Sequence, residues 1–419
     1  MNDQLHDILS EYWGYTGFRP LQQEIIESVL SGSDTLALLP TGGGKSICYQ
    51  VPAMAMEGLC IVVSPLVALM KDQADQLNSK GIPSLMVFSG LKRHETEQVL
   101  KLAGTGRYKF LFVSPERLET RLFLEYMPGM NVCLVAVDEA HCISQWGYDF
   151  RPPYLRIAAL REHLPGVPVL ALTASATPEV QADICDKLHF RAHKIFKTSF
   201  ARPELEYYVI KSEAKINTTV AILKKVPGCA IVYCGSRRKT REVAELLNMH
   251  GLNAGFYHAG LEHDERSKRQ QQWIEGKTRV MVCTNAFGMG IDKPDVRTVI
   301  HYDMPDAPEH YYQEAGRAGR DRQPARAVLL YQLPDIDALY QLVPIKFPPE
   351  EDIKQVYVSI ANYLQLAAGS GGGSYFEFDL DDFSRKFKHP ALLTINVLRI
   401  LEQEGYIAYN ESVMLPSTV

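Results

Sequence analysis

Short apolar runs separated by helix-length stretches set the rhythm of the first half of the chain. Between Thr35 and Thr177 they fall at Leu36–Leu39, Cys60–Val63, Phe110–Val113, Leu134–Val137 and Val169–Leu172. Unbroken rather than alternating hydrophobicity over four or five residues marks a strand covered on both faces, which implies a parallel sheet with crossover helices. The rhythm restarts after Arg202-Pro203, with runs at Cys229–Tyr233, Ala254–Tyr257, Arg279–Val282, Thr298–His301 and Ala327–Leu330. The pattern predicts two α/β domains, over residues 1–201 and 202–343, and a smaller accessory segment over 344–419.

That last segment contains Gly369-Ser370-Gly371-Gly372-Gly373-Ser374, the composition of a flexible connector. Beyond it, Leu392 to Glu404 reads as an amphipathic helix, and the following Gly405-Tyr406-Ile407 would suit the first wing of a winged helix.

Composition narrows the class. A chain of 419 residues exceeds what a single core fills, and 46% hydrophobic with 22% charged residues excludes a disordered protein. A net charge of -5 excludes coating nucleic acid by bulk charge, so any such contact must be local. No apolar run approaches the ~20 residues of a membrane span. Met1 to Ser10 is polar rather than signal-like, so the chain is expected inside the cell with no membrane partner. The eight cysteines form no C-x-x-C pair and none follows Cys283, which reads as reduced, buried thiols.

Two motifs carry chemistry. Leu39-Pro40-Thr41-Gly42-Gly43-Gly44-Lys45-Ser46 follows an apolar strand and opens a helix. Its glycines let backbone N–H groups approach phosphates at a helix N-terminus; Lys45 would neutralise the β and γ phosphates and Ser46 would ligate Mg²⁺. The strict fingerprint has glycine where this chain has Leu39, so a ligand-free glycine-rich turn is the plainer alternative. The second motif argues against it. Asp138-Glu139-Ala140-His141 follows a buried strand, where Asp138 could hold Mg²⁺ partly through water and Glu139 could polarise an attacking water. His141 and Cys142 are adjacent, a spacing that does not build a tetrahedral zinc site.

Further segments fall around these two: Trp13-Gly14-Tyr15 with Phe18-Arg19-Pro20-Leu21-Gln22, the aromatic-rich Ile143 to Pro152, Thr173-Ala174-Ser175-Ala176-Thr177, Thr284 to Asp292, and Tyr311 to Arg320. Arg317 and Arg320 stand at i and i+3, which on a helix would place both on one face. In order and wording the set resembles superfamily 2 helicases and, over residues 12 to about 332, the RecQ family.

The resemblance implies two tandem RecA-like parallel-sheet domains with ATP between them. By it, Tyr15 stacks on adenine and Gln22 reads its edge with Arg19 beside them, and Thr41, Gly42, Gly43, Gly44, Lys45 and Ser46 hold the phosphates and Mg²⁺. Asp292 would accept from the ribose. Asp138, Glu139, His141 and Gln313 would serve hydrolysis, with Arg320 as the arginine finger and Arg317 its neighbour. Trp146 and Phe150 would stack on unpaired bases beside Arg151, and Ser64, Arg117, Ser236, Arg237, His258 and Thr284 would contact the strand. The implied activity is an ATP-dependent DNA helicase moving 3′ to 5′ on single-stranded, tailed or forked DNA in repair or recombination, in a bacterial cytoplasm. An RNA-directed helicase and a non-hydrolysing clamp or remodelling scaffold are the rivals; the clamp predicts a damaged Lys45, Glu139 or Arg320, and all three are intact. The family commonly carries a four-cysteine zinc module after its second motor domain. With no cysteine after Cys283, no zinc is expected.

Overall fold

Each apolar run of the first half becomes a strand because a continuous hydrophobic segment needs cover on both faces. The computed structural model describes residues 2–144, 150–287, 293–367 and 370–409. In its first lobe β1 (Asp34–Leu38), β2 (Leu59–Val63), β3 (Ser84–Val87), β4 (Phe110–Val113), β5 (Val132–Val137), β6 (Val169–Thr173) and β7 (His193–Lys197) form one sheet, ordered β3-β4-β2-β5-β6-β1-β7 with parallel pairing throughout. All residues of β1, β2, β4, β5 and β6 are buried. Each such Val, Leu, Ile or Phe side chain contributes about 1.5–3 kcal/mol.

One carboxylate ties three parts of this lobe together. Asp34, buried at the start of β1, accepts two hydrogen bonds from Arg161 (3.0 and 2.9 Å) and one each from the N–H groups of Val169 (3.0 Å) and Arg191 (2.8 Å). A charge buried this way is tolerable because its acceptor capacity is used.

The second lobe repeats the plan with β8 (Leu205–Lys211), β9 (Cys229–Tyr233), β10 (Ala254–Tyr257), β11 (Val280–Cys283), β12 (Val296–His301) and β13 (Ala325–Tyr331), ordered β10-β11-β9-β12-β13-β8. The ladders from β10 through β13 are parallel. The expected pair of parallel-sheet domains is therefore present, and residues 1–330 form one compact unit.

A second unit begins at Tyr331. Its helices Glu350–Tyr363, Leu380–Phe387 and Ala391–Gln403 pack on Val356, Phe383, Val397 and Leu401, and the helix Leu333–Lys346 joins them through Ile345 O, which accepts from the Asn396 amide (3.0 Å). The helix Leu333–Lys346 runs through the 343/344 position where the sequence suggested a boundary, with Pro344 inside it. Among the described residues this unit has no strand.

Candidate nucleotide and nucleic-acid site

In both sheets the chemistry-bearing residues follow the carboxyl ends of parallel strands, where open α/β sheets bind ligands. The segment Leu39–Ser46 leaves β1, Thr173 ends β6, Asp138 leaves β5, Ser64 leaves β2 and Ser114 leaves β4. Hydrogen bonds lace these ends together: Leu39 N to Thr173 O (3.1 Å), Asp138 N to Val63 O (2.9 Å) and Ser64 N to Val113 O (3.2 Å).

The phosphate loop has the backbone its glycines permit. Gly42 and Gly44 both sit at φ 78°, the left-handed region, and a Cβ at Gly43 would stand 2.8 Å from the Pro40 carbonyl. Arg19 donates to the Gly42 carbonyl, and the Gln22 amide donates to the carbonyls of Gly43 (3.3 Å) and Gly44 (3.0 Å) while accepting from Arg19 N (2.8 Å). Gln22 is thus committed to the phosphate loop rather than turned to solvent. Tyr15 presents an exposed ring, and Thr41 and Ser46 are half-buried.

Glu139 is the electrostatic centre. Its backbone takes φ 47°, ψ 46°, a conformation a non-glycine residue adopts at a cost and one that concentrates at functional sites. Lys45 Nζ stands 3.9 Å from one carboxylate oxygen and His141 Nδ1 3.4 Å from the other. Burial works to raise the Glu139 pKa, but Lys45, His141, Arg317 and Arg151 together hold it below the usual range. Asp138 goes the other way: burial and the adjacent Glu139 charge push it up to about 7. Two juxtaposed acids, one reluctant to ionise without a cation, are a donor set suited to Mg²⁺. Among the described residues, no group of three or more His, Cys, Asp and Glu side chains is placed to hold a metal on its own.

The coupling segment joins the same network. The Thr173 hydroxyl donates to Ser175 O (3.1 Å), so its lone pairs receive His141 Nδ1–H (2.9 Å) and Ser175 N–H (3.3 Å), which assigns the ring proton to Nδ1. Tyr154 donates to the Asp138 carbonyl (2.9 Å) and steadies the acid turn from beneath.

The second lobe supplies the arginines. The helix bearing Gln313 spans Pro308–Ala315 and stops before them, so Arg317 and Arg320 project from a turn, not from the helical face that their spacing suggested. Arg317 N to Glu314 O (3.2 Å) and Ala318 N to Ala315 O (3.1 Å) keep that turn tight enough to preserve the i, i+3 juxtaposition. Arg320 Cγ lies 3.1 Å from where a Cβ on Gly42 would stand, and a Cβ on Gly316 would stand 3.3 Å from Thr41 Cβ. Arg317 is buried beside Tyr233, whose hydroxyl donates to Phe287 O (3.1 Å) and accepts from the guanidinium. Lys45, Glu139, Arg317 and Arg320 are therefore brought to one seam.

Residues expected on the strand side are spread along the same sheet edges. Ser64 and Ser114 carry buried hydroxyls without a hydrogen-bond partner. Arg117 is spent on the protein itself, donating to the carbonyls of Phe88, Ser89 and Leu91 (2.9–3.1 Å), so it shapes the 88–91 loop. Ser236 caps the helix Arg237–Met249 by accepting from Lys239 N. Arg237 packs over Gly260, and burial together with Arg237 lowers the His258 pKa. Thr284 follows β11 and Phe150 is half-buried. Arg151 donates to Pro65 O (3.2 Å), and its backbone N–H to Cys142 O (2.8 Å) joins the two ends of the aromatic-rich segment. Trp146 and Asp292 lie outside the described residues, as do the rest of 145–149 and 288–292.

Sequence reasoning missed Tyr154 and Arg202. Arg202 was visible only as part of an Arg-Pro interruption between two apolar rhythms, a signal of a boundary and not of a role.

Residues 19–184 match the DEAD/DEAH box helicase family and residues 214–322 the helicase conserved C-terminal domain. The chain is 41% identical over 357 residues to "Probable ATP-dependent DNA helicase RecS" of Bacillus subtilis, covering 84% of this chain and 72% of that protein. It is 44% identical over 341 residues to the ATP-dependent DNA helicase RecQ of the same organism, covering 80% of this chain and 57% of the relative, so it spans little more than half of that protein. Among solved structures, the helicase MrfA bound to DNA and AMPPNP superposes with a TM-score of 0.66 at 17% identity, over 81% of this chain and 52% of that one. At that identity the likeness shows the tandem RecA-like fold.

Proposed function

The chain belongs to the RecQ family of ATP-dependent DNA helicases, and from that premise we propose that it hydrolyses ATP between its two lobes to move along single-stranded DNA, 3′ to 5′, and open tailed or forked duplexes. The observation that carries the reading is the approach of Arg320 to Gly42 across the seam, with Arg317 acting on Glu139.

In this reading Tyr15 stacks on adenine and Gln22 exchanges its bonds to the phosphate loop for the base edge when nucleotide binds, with Asp292 on the ribose. Lys45 and the N–H groups of 42–46 bind the phosphates, and Ser46 and Asp138 hold Mg²⁺, which offsets phosphate charge. Glu139, kept ionised by its cationic surroundings, orients the attacking water and takes its proton. His141, hydrogen-bonded to Thr173, and Gln313 take the role of reporting the state of the γ-phosphate. Arg317 and Arg320 stabilise charge on the transferring group, a contribution on the order of 10³ to 10⁵ in rate. Ser64, Arg151, Ser236, Arg237, His258 and Thr284 line the strand path, and Trp146 and Phe150 stack on bases. The bacterial relatives support a place in the bacterial cytoplasm and a role in DNA repair or recombination.

The test is ATP hydrolysis with and without single-stranded DNA or RNA, beside unwinding of 3′- and 5′-tailed duplexes. Wild type should be stimulated by DNA over RNA and open only the 3′-tailed substrate, and Lys45→Ala should abolish both activities. Equal stimulation by RNA would overturn the DNA assignment. Trp146→Ala should lower DNA stimulation of hydrolysis more than DNA binding, because Cys142 and Arg151 tie the ends of its segment to the acid turn; unchanged stimulation would remove that coupling.

A further inference from the structure

The last carbonyls of a helix have no partner within it and must find donors elsewhere. The helix Pro308–Ala315 finds its own in Gly316 N (to Tyr312 O, 2.9 Å), Arg317 N and Ala318 N, and the turn that follows it gives its carbonyls to one side chain. Arg202 Nη1 donates to Gly316 O (2.7 Å), and Nη2 donates to Ala318 O (2.8 Å) and Gly319 O (2.8 Å). Its Nε donates to Glu204 (2.7 Å), and the side chain is only 8% exposed. Four of the five guanidinium donor directions are used, three on the carbonyl face of a single turn.

That turn carries Arg317 and Arg320, and its opposite side meets the phosphate loop through Arg320 at Gly42 and Gly316 at Thr41. Arg202 lies in the segment joining β7 of the first lobe to β8 of the second. Two residues earlier, Phe200 packs against the first-lobe core, its carbonyl accepts from the Tyr312 hydroxyl (3.3 Å), and its ring meets that of Tyr312 edge-on at 5.8 Å. Glu204 O also receives Ala325 N (2.9 Å), closing the other end of the turn. The connector is thereby fastened to the first lobe on one side and to the arginine-bearing turn on the other.

We propose that Arg202 is a positioning residue for ATP hydrolysis: its guanidinium fixes the carbonyl face of residues 316–319 so that Arg317 and Arg320 stand at the phosphate loop. The connector then does more than join the lobes, because its own cation sets where the arginine pair arrives when the seam closes. A lysine keeps the charge but is a point donor and does not span three carbonyls as a planar fork does.

This inference rests on the helicase reading, and the experiment separates the two. Wild type is measured first; no DNA-stimulated ATPase there would overturn the helicase reading and this inference together. With that activity present, Arg202→Lys should bind single-stranded DNA normally and keep KM for ATP within about twofold, while kcat falls roughly tenfold to hundredfold, the scale of misplacing a catalytic group by about an ångström. Arg202→Lys in an Arg320→Gln background should add little to the loss from Arg320→Gln alone, since both act through the same charge. An unchanged kcat, a loss confined to KM, or losses that multiply would each overturn the proposal. If Arg202→Lys does not fold, Glu204→Gln removes the charge that aims the guanidinium at the carbonyl face: a lower kcat at constant KM supports the proposal, and an unchanged kcat overturns it.

Discussion

Glu139 condenses the site into one residue, because its left-handed backbone, the Lys45 ammonium, the His141 ring and the charge of Arg317 from the second lobe all meet there. Glu139→Gln should preserve ATP binding and lower kcat roughly 10²- to 10⁴-fold, the usual worth of a positioned general base, as read in steady-state hydrolysis beside nucleotide-binding titration. Equal losses in binding and turnover would show that the carboxylate holds the loop instead. Lys45, Asp138, Glu139 and the arginine pair were legible in the sequence because each belongs to a dense local word. Arg202 was not, since its partners Gly316 to Gly319 are more than a hundred positions away and offer only backbone carbonyls. The carbonyl contacts of Arg117 were hidden for a related reason: a guanidinium suits a phosphate and a row of carbonyls equally well, and only the fold brings Phe88 to Leu91 beneath it.

Among elements, the strands read most clearly were those buried on both faces, such as β2, β4, β5 and β9. The sequence pattern passed over β3, β7 and β8, which sit at sheet edges. β7 carries polar and charged residues through most of its length, His193-Lys194-Ile195-Phe196-Lys197, so no apolar run announces it. β7 is held to β1 at the end where Asp34 gathers Arg161, Val169 and Arg191. Asp34→Ala should therefore destabilise the first lobe by about 3–5 kcal/mol, because it strands a buried guanidinium and two N–H groups, and chemical denaturation measures the loss. The arginine turn teaches a complementary lesson: i, i+3 spacing survived, yet the helix ended at Ala315 and tight backbone turns supplied the geometry.

At the scale of the whole molecule, residues 1–330 behave as one compact unit although two sheets build it. A nucleotide held from both sides should stabilise that unit as a single step. A non-hydrolysable ATP analogue with Mg²⁺ at about a hundredfold excess over its Kd should raise its unfolding free energy by about 2.7 kcal/mol. In calorimetry the transition of the 331–419 unit should stay where it was, and movement of only half of the first unit's heat would mean that the lobes are not bridged. The strand order carries one more consequence. β5 bonds directly to β2, and Asp138 N reaches Val63 O at 2.9 Å, so the acid turn and Ser64 are next-door neighbours on one lattice of peptide bonds. If the proposed roles hold, fuel and rail would grip strands a single interstrand gap apart, about 5 Å, and a shift of the acid turn would be felt at Ser64 through one shared ladder.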